Sequence, residues 1–97
     1  MTSYEKLPKL IERMQHLVTY LDHRNDLTIH QHVNQSYYMQ KIVELKMLLR
    51  QSEESNRTLE TINSRIDNHY NLCFLQWYKD ARWLNTYQRL ERTKAIL

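Results

Sequence analysis

This 97-residue sequence predicts an all-α fold, an antiparallel three-helix coiled-coil-like bundle with a long C-terminal helix. Three observations predict it: glycine is absent, proline occurs once, and apolar residues recur at the three-and-four spacing of a helix stripe. Sheets need many tight turns, and tight turns draw on Gly and Pro for their dihedrals. A chain with almost neither is left with long helices. The length suits one helical domain, residues 1–97, that buries roughly two-thirds of the surface its unfolded chain exposes. With 41% apolar residues the private core is modest, so part of it is expected to be shared with a partner.

The first helix is expected over about residues 4–24. Leu7, Leu10, Ile11, Met14, Leu17, Val18 and Leu21 fall at heptad positions a, d, e, a, d, e, a without a miss. Ser3 is placed to cap its start, and Pro8 is read as lying in its first turn, where a missing amide costs nothing. Lys6, Lys9, Glu12, Arg13 and Gln15 make its wet side.

His23 to Asp26 interrupts the pattern with cap and turn residues, Asp26 or Thr28 being able to cap a second helix. So short a connection implies antiparallel neighbours. The second helix is expected over about 27–51, with Ile29, Val33, Tyr37, Tyr38, Ile42, Leu45, Leu48 and Leu49 on or near its stripe. His30, Gln31, His32, Asn34 and Gln35 make its first half poor in apolar surface. The second turn is placed at 52–56, where Ser and Asn can cap and two acids suit a first turn.

The third helix is expected over about 57–96. Leu59, Ile62, Ile66, His69 and Cys73 keep one register, then Tyr70, Phe74, Trp77, Ala81 and Leu84 take another. Such a slip is either a stutter in one helix or a joint near 67–71, which would make a four-helix arrangement. Unbroken, the helix reaches about 60 Å at 1.5 Å per residue and overhangs the first two. Its aromatics would then need another chain to cover them.

Few function classes survive. No two of the five histidines stand three or four apart, and Glu12 with His16 or Asp26 with His30 has no matching second pair, so no metal is expected. Cys73, in NLCFLQW, reads as a small core residue rather than a nucleophile. Without glycine there is no phosphate loop, and neither a nucleophile elbow nor a zinc-finger pair is present; no cofactor and no catalysis are expected. No window approaches the ~20 apolar residues of a membrane span, the start MTSYEKLPKL lacks a signal-peptide run, and a lone cysteine suits a reducing compartment, so a cytoplasmic location is expected.

The leading expectation is a protein–protein interaction module, an adaptor, assembly subunit or chaperone-like binder. Its partner is another protein chain, in a homo-oligomer or as a hetero-partner, and Tyr70, Phe74, Trp77, Trp83, Leu84, Tyr87 and Leu90 are the anchors. The alternative is a nucleic-acid-binding regulator or replication accessory factor. Formal charge sums to +2 over 1–50, −2 over 51–78 and +3 over 79–97, and Lys79, Arg82, Arg89, Arg92 and Lys94 would carry nucleic acid as the partner. A membrane-surface reading of the same helix is diluted by Asp80, Asn85 and Glu91.

Overall fold

The computed structural model describes residues 2–54 and 59–96, which form four helices: α1 (Ser3–Asp22), α2 (Leu27–His32), α3 (Gln35–Glu54) and α4 (Leu59–Ile96). No strand occurs among the described residues, and none of their helices is long and apolar enough to cross a membrane.

α1 begins one residue earlier than the sequence suggests. Thr2, not Ser3, takes the capping position, its Oγ1 accepting from the Glu5 amide at 3.3 Å. Pro8 is therefore the sixth helical residue and lies in the second turn, where it withholds a donor from the Tyr4 carbonyl. Leu7, Leu10, Ile11, Met14, Leu17 and Leu21 are buried, with Val18 packed at their edge. The helix closes at Asp22 as the amides of His23 and Arg24 turn back onto the carbonyls of Tyr20 and Leu21.

Asp26 caps α2 through Thr28 at 2.9 Å. The single helix expected over 27–51 is divided, because the chain becomes extended at Val33 and Asn34 restarts it by capping Tyr37 at 3.2 Å. Geometry explains the division. Ile29 and Tyr38 are nine residues apart, which is two and a half turns of a continuous helix, so they would point to opposite sides. The break lets both Ile29 and Tyr38 reach full burial, with Val33 between them at 1% exposure. α3 then continues to Glu54, past the expected end at Gln51; the expected turn at 52–56 thus begins inside α3 and its remainder lies outside the described residues.

α4 has no joint at 67–71, and the fourth helix comes from the break at Val33 instead. The apparent slip of register disappears once Asp80 is counted as a core residue. Ile66, Tyr70, Cys73, Trp77, Asp80, Leu84 and Tyr87 follow one another at four, three, four, three, four, three, an unbroken heptad in which one place is held by a carboxylate. Asp80 is only 5% exposed; it accepts from the Tyr38 hydroxyl and from Gln76 Nε2, the latter at 3.1 Å. Both bonds fall on Oδ2 and offset part of the hydration that the carboxylate gives up.

Pairings across the seams fix the chain directions. Lys6 lies over Tyr70, Arg13 over Trp77, and Arg24 reaches Glu91, so α1 and α4 climb together. Asp22 meets Gln35 at one end, while Tyr4 and Ser52 line one cavity at the other, so α3 runs back against α1. α2 and the segment before it lie over α4 between Trp83 and Glu91, which shortens the expected overhang.

Candidate interaction surfaces

The aromatic anchors named from the sequence divide into two groups. Tyr70, Phe74, Trp77 and Leu84 lie along the seam with α1, Tyr70 and Leu84 buried and the other two packed against the core. Tyr70 and Phe74 stack at 5.9 Å, and the cations of Lys6 and Arg13 stand 5.0 Å and 5.3 Å from the rings of Tyr70 and Trp77. These contacts give a half-buried ring a wet, charged rim.

Trp83 and Tyr87 sit on the other flank, stacked on each other at 5.0 Å beneath α2. The His32 ring lies flat on Trp83, centroids 3.8 Å apart and planes 10° apart. Tyr87 donates to Asp26 at 2.5 Å, Arg24 pairs with Glu91 at 3.3 Å, and His30 Nε2 donates to the Arg24 carbonyl at 2.6 Å. The Tyr87 bond holds the Asp26 carboxyl below its usual range, and the same carboxylate pushes the Tyr87 phenol up to about 12. Leu90 alone among the named anchors is an exposed large hydrophobic, at 58%.

The exposed apolar surface lies partly elsewhere. Met39, Val43 and Met47, each more than half exposed, form a stripe at four-residue spacing on the outer side of α3. Leu72, Leu75 and Tyr78 are exposed on α4. Sequence reading passed over the α3 stripe, although its signal is visible: apolar residues at 39, 43 and 47 beside those at 38, 42, 45 and 49 make α3 apolar on two sides. A groove of about 410 Å³ between α1 and α4 is open and lined by Arg13, His16, Tyr20, Trp77, Asn85 and Gln88 among others.

Cys73 and the phenols of Tyr37 and Tyr38 are taken up by the packing of the bundle. Burial raises the Cys73 thiol pKa, and Tyr37 packs beside it with its phenol pushed up to about 12, chiefly by burial. Tyr38 is raised further by burial and by its bond to Asp80. Among the described residues no three His, Cys, Asp or Glu side chains gather where a metal ion could be held.

Lys79, Arg82, Arg89, Arg92 and Lys94 are all exposed, and none forms a salt bridge among the described residues. Arg82 rests 5.7 Å from the Tyr78 ring. No family model matches this chain, and comparison with curated proteins and with solved structures found no match.

Proposed function

We propose that the protein is a non-enzymatic helical interaction module, an adaptor, assembly subunit or chaperone-like binder that associates through the outer side of α3. The observation that carries the reading is the stripe of Met39, Val43 and Met47, exposed on a helix whose opposite side already fills the core. Large apolar side chains lined up on a surface lose free energy when a partner covers them. Methionine suits such a surface because its flexible thioether adapts to the shape it meets. The non-enzymatic part is supported by the engagement of Asp80, Asp26 and Cys73 in bonds and packing of the bundle.

The partner in this reading is a second copy of the chain, with a coiled-coil-like pairing of the two α3 helices. Light scattering on a sizing column is expected to give a dimer or larger, and Met39→Gln with Met47→Gln a monomer of unchanged helix content by circular dichroism. A wild-type monomer up to roughly 1 mM, the concentration corresponding to about −4 kcal/mol of association, overturns the reading.

A further inference from the structure

We infer that the outward side of α4 is a docking surface for the phosphate backbone of double-stranded DNA. This goes beyond the association through α3 and uses a different helix. From Asn71 to Ala95 the chain contains two acids, Asp80 and Glu91, and counted along the sequence they dilute the five cations. In the folded protein they do not. Asp80 is turned into the core beneath Tyr38, and Glu91 is half-buried and paired with Arg24 of the opposite flank. The exposed residues of this stretch therefore include Lys79, Arg82, Arg89, Arg92 and Lys94, while the one acid that still reaches solvent, Glu91, is paired with Arg24.

The cations are also arranged. At about 100° per residue Lys79, Arg82, Arg89 and Arg92 fall within roughly 140° of arc, facing away from the core, and span about 20 Å along the axis. Lys94 stands off this arc near the helix end. A C-terminal helix end attracts cations through the macrodipole, but that influence fades within the last turn. Lys79 and Arg82 lie about four turns upstream, so the dipole leaves them unexplained.

Charge complementarity selects a polyanion, and shape selects the duplex. A straight convex helix can lie in the major groove, about 12 Å wide, with cations reaching the phosphates on either side. Asn85 and Thr86, exposed between the arginines, are able to meet base edges there. Single-strand sites instead use a groove with free aromatic platforms. Here the exposed ring of Tyr78 already lies between Phe74 at 6.0 Å and Arg82.

The test is fluorescence anisotropy of the full chain with a labelled mixed-sequence duplex of about 20 base pairs, which carries one charge per about 1.7 Å and so exceeds the length of the face. The matching single strand and vesicles rich in phosphatidylserine are run beside it. Four phosphate contacts predict a log–log salt slope near −3.6, or about 150-fold weaker binding between roughly 50 and 200 mM salt. Arg82→Ala, Arg89→Ala and Arg92→Ala together should leave a slope near −0.9 and about a 3.5-fold loss. Lys9→Ala with Lys46→Ala, on other helices, should leave the slope unchanged. An adequate fold in each variant is confirmed by circular dichroism. No duplex binding at low salt, an unchanged slope in the triple variant, or equal or tighter binding to the single strand or the vesicles each overturns the inference.

Discussion

Replacing Tyr38 by Phe removes one oxygen from the centre of the bundle and should cost far more than its size suggests. The ring is fully buried and would stay in place, but Asp80, itself 5% exposed, would keep Gln76 as its only donor among the described residues. A hydrogen bond to a charged group is worth about 1.5–3 kcal/mol when its partner is left behind in the interior. A chain of this size has roughly 5–15 kcal/mol of total stability, and each kcal/mol moves its midpoint by about 4–8 °C. Tyr38→Phe should therefore lower Tm by roughly 6–24 °C. Asp80→Ala should do comparable damage, since it strands a buried phenol without an acceptor, at about 1–3 kcal/mol. Together the two changes should cost less than their sum by about 1 kcal/mol or more, because the second removes a group the first has already orphaned. Urea unfolding of the four proteins, tracked by circular dichroism, measures the cycle. A Tyr38→Phe shift below about 2 °C, or strict additivity, would refute the assignment of Asp80 to the core heptad.

The same side-chain environments dictate two further outcomes. The phenols of Tyr37 and Tyr87, raised from 10.0 to about 12, stay neutral in the fold, so their contribution is complete below pH 10 and is lost as pH climbs toward 12. Helix content should collapse in that window as tyrosinate absorbance appears; ionisation at the ordinary value with helices intact would contradict it. His32→Ala, which removes the ring stacked at 3.8 Å on Trp83, should cost about 0.5–1.5 kcal/mol. In a Trp77→Phe background it should also move Trp83 emission to the red, and unchanged emission would show that His32 does not cover that ring.

How much of this was legible in the sequence depended on where the decisive polar residues stood. α1 could be read almost completely, because every core place is apolar and most of the others are polar or charged. α4 was harder for one reason, a carboxylate at heptad place 80, which makes an apolar search jump to Ala81 and infer a slip. The 77, 80, 84 spacing carried the information, but one of the two donors that make a buried acid tolerable there, Tyr38, stands 42 positions away in sequence. The break at Val33 was derivable from the half-turn offset between Ile29 and Tyr38, once both are required to be inside. The fate of the aromatics was not. Whether Trp83 and Tyr87 face a partner or their own chain depends on where six residues of α2 come to rest, and the polar bonds of Arg24 and Asp26 and the stacked ring of His32 that hold α2 have no periodic signature.

The pairing of α1 with α4 has a kinetic consequence during synthesis. Tyr20 meets Gln88 and Arg24 meets Glu91, contacts closed over 68 and 67 positions, so the surface of α1 is completed by a segment made much later. Until α4 arrives, α3 can shelter only part of the Leu7–Leu21 stripe, and the growing chain carries the rest uncovered. Loops this long are slow to close relative to helix growth, and apolar surface left waiting is what draws aggregation partners and chaperones. A polypeptide released before Trp77 and Leu84 have been added would hold a formed first helix with no mate on one flank. Its vulnerability would be set by the order of manufacture, independently of how stable the finished bundle is.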